Sequence, residues 1–354
     1  MMKLQTRFLP FIALSILALL FALWAGLLRL GWTLPTFPTL SSAHGPLMIA
    51  GFLGVLIPLE RAVAIRQKWM FAVPIVTSSG WIALFFSTLA GAVLITLGSL
   101  GTLAILGVMV RRESQVHTIT MMLGALSWVV GNFLWLLGLP IFKIIFLWMA
   151  FLILTIGGER LELSRVLQPT ASQRRIFIVI TIALLSGAIL SLFTLQWGAR
   201  LSGGSMLVLA LWFLNNDLAR RNIRHKNPLT RYIAICLFSG FIWLGIGGIL
   251  NLIIGASYAG PFYDAALHTI FVGFVMSMIF GHAPIIFPAI LGASITYTPA
   301  FYTHLSLLHL SLIVRIVGDL SGQMDIRRVG GLLNEVAILL FLGLTIYSLV
   351  KGKK

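Results

Sequence analysis

Gly51-Phe52-Leu53-Gly54-Val55-Leu56-Ile57-Pro58-Leu59-Glu60-Arg61 decides how this chain folds, because its pattern returns twice. The later copies read Ala150-Phe151…Ile156…Glu159-Arg160 and Gly273-Phe274…Ile279…His282. A small residue, Phe, Ile and a titratable group therefore recur at fixed offsets. Such self-similarity points to a threefold internal repeat, and a repeat constrains the whole fold. The matched segments fall on the second, sixth and tenth of about twelve apolar runs. That placement predicts three pseudo-repeated four-helix arcs in one bundle. The match extends weakly to the preceding runs, where Phe21, Trp128 and Trp243 hold similar places.

Composition supplies the solvent. The 354 residues are 59% hydrophobic and only 10% charged, with a mean hydropathy of +1.03. So few polar groups do not coat a water-soluble surface, and apolar runs of membrane-crossing length recur throughout. The predicted spans are 8–29, 44–64, 69–89, 92–110, 116–138, 141–160, 175–196, 203–217, 231–254, 264–290, 300–319 and 330–350. The eighth is the shortest. Membrane β-barrels instead show alternating ten-residue segments, so the fold class is all-α polytopic membrane protein. No linker or soluble module interrupts the chain, and residues 1–354 read as a single transmembrane domain. The first run has the basic start of a signal peptide but is too long and lacks a cleavage site, so it reads as a transmembrane helix.

Charge placement predicts the orientation. With both termini cytoplasmic, the inner side receives all basic residues except Arg29, Lys143, Arg200, Arg315, Arg327 and Arg328; the terminal Lys3, Lys353 and Lys354 are among them. This is the positive-inside bias, and it points to a bacterial inner membrane. It also accounts for the net charge of +16. Nucleic-acid binding, the other reading of a basic chain, lacks any basic segment separate enough to form a module. The single cysteine, Cys236, excludes a disulfide framework and a Cys-type metal site.

Ionisable groups inside a bilayer are costly, which makes the histidines informative. His44 opens the second span and His268 lies near the start of the tenth, at depths differing by about 3 Å at the helical rise. Two readings stay open. Each histidine bonds a carbonyl at its helix entrance, or the two imidazoles together supply the axial ligands of a six-coordinate haem iron. Haem propionates also need donors, and Arg315, Arg327 and Arg328 cluster toward the same end. Forked guanidinium groups suit such carboxylates. The alternative for these is an interfacial basic pair with an intrahelical Arg315–Asp319 ion pair.

The twelve-run plan, the histidines opening runs two and ten, and the arginine pair after run eleven resemble haem-copper oxidase subunit I. The smaller size and the string His268-Thr269-Ile270-Phe271-Val272-Gly273-Phe274…Met278-Ile279-Phe280-Gly281-His282 resemble the NnrS family of haem-associated, nitric-oxide-response membrane proteins. The resemblance implies that His44 and His268 are axial ligands of a haem b and that Arg327 and Arg328 meet its propionates. It further implies nitric oxide or an electron donor as partner, beside haem and membrane lipid. One departure is plain: the oxidase builds its copper centre from histidines on helices six and seven, and runs six and seven here contain none. Oxygen reduction by that route is rejected.

A second polar group is expected at the inner end, where Glu60, Glu159 and His282 occupy the repeat position and His304 and His309 enter from run eleven. Such a set suits copper or another transition metal, a proton relay, or simple ion pairs that fix helix ends. His117 and His225 receive no role. Two functions from different classes follow. One is a haem-binding redox or nitric-oxide-responsive protein; the other is a proton-coupled transporter without haem, since internal repeats occur in transporters too.

Overall fold

A computed structural model describes residues 6–292 and 295–351. Lys3, Lys353 and Lys354, counted above as inner charges, lie outside the described residues. Among the described residues the chain is helical throughout, without a strand. Eleven helices are long and apolar enough to cross a membrane. In chain order the helices are α1 (Thr6–Arg29), α2 (Ser41–Ile65), α3 (Ala72–Ala83), α4 (Thr88–Arg112), α5 (Val116–Leu136), α6 (Ile141–Leu167), α7 (Ala171–Phe193), α8 (Leu195–Asn216), α9 (Pro228–Ile254), α10 (Pro261–Leu291), α11 (Phe301–Ser321) and α12 (Met324–Lys351).

The expected twelve spans differ from this at the third. There a 3-10 turn, Lys68–Phe71, leads into the 12-residue α3, short of the roughly 20 residues a span needs. The eighth is a full 22-residue helix, Leu195–Asn216. Its start was hidden by the polar stretch Gln196 to Ser205, whose small residues pack. A side chain at Gly203, for instance, would meet the backbone of α9 at Gly248 and Leu252.

Local chemistry sets the helix ends. Ser87, Thr170 and Asn227 each accept a backbone N–H with their side chains at the starts of α4, α7 and α9, satisfying donors that the helix itself leaves free. Gly292 and Gly322 follow α10 and α11 in the left-handed region, at φ +68° and +70°, where only glycine is unstrained.

Consecutive helices pack side by side, and α1 also meets α12. At the centre lies α6, in which every residue from Ile144 to Thr155 is buried. A helix apolar on all sides belongs inside a bundle. The helices α2 and α10 both touch the middle of the bundle but depart from regular α-geometry. Each has a π-helical stretch, Leu47–Leu53 in α2 and Thr269–Met276 in α10. These stretches begin just after His44 and His268, and they contain the Gly51-Phe52 and Gly273-Phe274 pairs of the sequence pattern. The corresponding part of α6 is regular α-helix. Close packing explains the glycines: a Cβ at Gly273 would come within 2.5 Å of the Trp243 ring of α9, and one at Gly51 within 2.8 Å of Ala18 of α1.

Candidate functional site

His44 sits in the first turn of α2, where no residue four positions earlier in the same helix can accept from its ring. Its Nδ1 reaches across to the Ala22 carbonyl of α1 at 2.8 Å. His268 lies further along α10, and its Nδ1 bonds the Asp264 carbonyl one turn back, also at 2.8 Å. A carbonyl oxygen only accepts, so each Nδ1 carries the hydrogen and each Nε2 keeps a lone pair. Neither Nε2 has a hydrogen-bond partner among the described residues. The two rings stand with centroids 6.4 Å apart and planes inclined at 31°. Two imidazoles bound on opposite sides of one metal ion, through bonds of about 2.0 Å, hold their centroids roughly 6.3 Å apart.

Both rings line a cavity of about 790 Å³ between α1, α2, α6 and α10. Its walls are mostly apolar, with Met48, Phe52, Phe142, Ile145, Leu267 and Phe271 among them, and its polar groups gather at one end. Cofactor sites have this character: concave, apolar and carrying a few placed polar groups. A flat macrocycle with four in-plane donors would need an apolar space of this kind and two free lone pairs beside it. Among the described residues no three His, Cys, Asp or Glu side chains are grouped.

A buried ionic network stands behind His268. The Asp264 carboxylate lies 3.3 Å from His268 Nδ1 and accepts a two-point bond from Arg315, at 2.7 and 2.9 Å. Arg327 approaches Asp264 at 3.2 Å and Asp319 at 2.9 Å. A carboxylate behind an imidazole fixes the ring's tautomer and orientation and raises its basicity. The expected Arg315–Asp319 intrahelical pair is thus replaced by Arg315–Asp264 and Arg327–Asp319. Arg315 and Arg327 do line the cavity, but their guanidinium groups already face carboxylates. Arg328 is not a cavity residue: it turns to the Gly31 carbonyl at 3.1 Å and covers the Trp32 ring at 4.8 Å. Arg29, at the end of α1, lines the cavity and has no ion-pair or hydrogen-bond partner among the described residues. Sequence reasoning missed it, having read it only as an outer charge. It also missed Asp264, although an Asp one helical turn before a His was a visible cue.

At the opposite end, Glu60, Glu159 and His282 line a second, smaller space of about 120 Å³. The repeat positions Ile57, Ile156 and Ile279 share it, so α2, α6 and α10 turn the same faces toward one another there. Arg61 pairs with Glu159, and Arg160 grips Asp217 at 2.7 and 2.9 Å, both side chains buried. The expected group of five does not assemble. His304 shares a 2.9 Å hydrogen bond with Tyr232 among Phe280, Phe301 and Phe341, and His309 accepts from Trp243 Nε1 at 2.9 Å. Both are drawn toward α9 by its aromatic donors. His282 bonds the Met278 carbonyl at 2.7 Å, leaving Nε2 buried and unpartnered.

A model of the family described as "domain of unknown function (DUF8744)" matches residues 7–350. The chain belongs to this family. No curated protein matches it. The DUF8744 match spans every helix described above, including both histidine-bearing ones and the ionic network behind them.

Proposed function

We propose that this protein holds a b-type haem between His44 and His268 and uses it in single-electron redox chemistry or in a response to nitric oxide. One observation carries the reading: two neutral imidazoles, each locked through Nδ1 to a carbonyl, leave their Nε2 lone pairs free beside one large apolar cavity, at the separation that two axial ligands of one iron require. Haem would supply a reversible one-electron couple there, with the Asp264 network setting the basicity of His268. If His44 and His268 both bound the iron, a gas would first have to displace one of them, which would favour electron transfer or sensing over fast turnover. Covalent c-type attachment is not open to this chain, since Cys-x-x-Cys-His is absent and Cys236 is the single cysteine. The kinship with the NnrS family, and more remotely with haem-copper oxidase subunit I, forms part of the same proposal.

The proposal includes three four-helix arcs and cytoplasmic termini in a bacterial inner membrane, with the His44 cavity toward the outer face; it requires α3, short as it is, to carry the chain across together with the 3-10 turn before it and the turn after it, as the twelfth crossing. The shared facing of Ile57, Ile156 and Ile279 supports the arcs, and the basic loops support the orientation. Labelling tests the latter: in intact cells a cysteine at Gln323 reacts with an impermeant thiol reagent and one at Lys351 does not. The reverse pattern inverts the orientation.

Protein purified from haem-replete cells is expected to be red, with the sharp reduced-minus-oxidised bands of a low-spin b haem. Colourless protein under those conditions would sink the haem reading and leave the proton-coupled transporter.

A further inference from the structure

Six of the seven histidines have a hydrogen-bond partner within the protein. His44, His268 and His282 reach carbonyls, His304 and His309 reach Tyr232 and Trp243, and the exposed His225 accepts from Asn227 N–H. His117 is the exception among the described residues: its side chain has no partner, although the residue is only 4% exposed. Its ring nitrogens are not sealed in the core. His117 lines a pocket of about 280 Å³, separate from both spaces described above, where the start of α5, the end of α6 and the start of α7 meet.

The charged groups lining that pocket are basic, while the carboxylates of Glu113 and Glu162 stand near His117 outside the lining. Arg165 and Arg174 stand at its rim and Gln115 and Gln168 add amide groups. Arg174 has no ion-pair partner among the described residues, and Arg165 holds Glu113 in a half-exposed pair, at 2.9 Å, of the kind that contributes little and opens readily. Gln168 adopts a left-handed backbone at φ +49°, held by its own N–H to the Arg165 carbonyl at 2.9 Å. Val116 and Leu161 form an apolar wall beside the polar groups. The pocket therefore offers a buried imidazole at its base, guanidinium groups at its mouth and a greasy flank, at the ends of membrane-length helices.

We propose that this pocket binds the phosphodiester headgroup of an anionic membrane lipid, with Arg174 and Arg165 pairing its oxygens and His117 bonding it from below. Position favours a lipid over free phosphate. The pocket lies at the ends of three membrane-length helices, the level at which headgroups would stand, and basic pockets between membrane helices recognise lipid phosphates in this way. The assignment is independent of the haem reading.

The test titrates delipidated full-length protein in detergent with short-chain phosphatidylglycerol or with inorganic phosphate, reading the shift in melting temperature, which rises with occupancy of the folded state. Phosphatidylglycerol should give a saturable rise. Arg174→Gln, an exposed change that removes no internal contact, should move the midpoint about tenfold higher, as loss of one charge-assisted bond requires. His117→Leu should weaken binding as well, and Arg174→Gln keeps the test decisive if that variant does not fold. Arg111→Gln, with the same charge change outside the pocket, should leave the midpoint in place. Equal effects of Arg111→Gln and Arg174→Gln would reduce the site to diffuse surface charge and overturn it. Saturation by inorganic phosphate at the same concentrations would overturn the lipid assignment in favour of the free anion, and no saturable response to either probe would overturn the site.

Discussion

The two ends of the space between α2, α6 and α10 use similar residues to opposite effect. Toward the His44 end, two imidazoles turn unused Nε2 lone pairs to a cavity of about 790 Å³. Toward the Arg160 end, Glu60, Glu159 and His282 surround only about 120 Å³, and Arg61 neutralises Glu159. The backbone differs in the same sense, since the π-helical stretches of α2 and α10 begin right after His44 and His268, whereas both helices are regular α at Glu60 and His282. π-turns recur at functional sites because they open the helix and re-aim side chains. Polar groups that meet each other hold a bundle together, while groups that meet only a cavity point to a ligand.

The strongest test of this contrast is substitution of the histidines. If haem occupies the cavity as proposed, His44→Ala or His268→Ala should each abolish the low-spin spectrum, while His282→Ala, one end of the bundle away on the same helix as His268, should leave it intact. Coloured protein that keeps its spectrum without His44 and His268 and loses it with His282 would exchange the roles of the two ends.

Next in size is the network behind His268. Asp264→Ala leaves Arg315 and Arg327 facing one another without their shared carboxylate. Breaking a buried pair in this way costs about 3–5 kcal/mol. The expected result is a large fall in thermal stability and, if haem is bound, a broadened haem spectrum in any folded fraction as His268 loses its orientation. Unchanged stability would mean that the network is open to water.

How much of this was legible depends on the range of the interaction. The membrane class, the long helices and the common facing of Ile57, Ile156 and Ile279 follow from composition and from one repeated pattern, both of which are local. The common level of His44 and His268 followed from depth along two helices, which the rise per residue fixes; that the two rings stand 6.4 Å apart is seen only in the structure. Partner choice was not legible, because it depends on side-chain reach between helices far apart in sequence. Arg61 takes Glu159 instead of its neighbour Glu60, and Arg160 takes Asp217 from a loop that reads only as basic. His304 and His309 belong by sequence to the inner polar set, yet aromatic donors on α9 capture both. The short α3 was hidden for another reason: its apolar run continues into the turn residues Leu84, Phe85 and Phe86, so hydropathy alone overstates its length.

A smaller effect is expected at the Arg160 end. Glu159→Gln removes the charge that faces Arg61, a pair with 12% and 19% of its side chains exposed, and a hydrogen bond to a charged group contributes about 1.5–3 kcal/mol. Melting temperature should fall while the haem spectrum of the folded protein stays as in the wild type. Altered haem content or activity per folded molecule, with stability unchanged, would instead make this end a functional site.

The smallest change separates arginines that a propionate reading treats alike. Arg315 and Arg327 are engaged by Asp264 and Asp319, and Arg328 by Gly31 and Trp32, so Arg29 is the cavity-lining arginine left to meet an anionic group. If haem occupies the cavity, Arg29→Gln deletes one charge-assisted bond to a carboxylate, and loss of haem to a scavenging apoprotein should become about tenfold faster. Axial ligation is untouched, so the spectrum should not move. Arg328→Gln, which disturbs only the surface beside Trp32, should leave the rate of haem loss unchanged. The opposite ranking would return the propionates to the loop between α11 and α12 and would turn the haem plane away from α1.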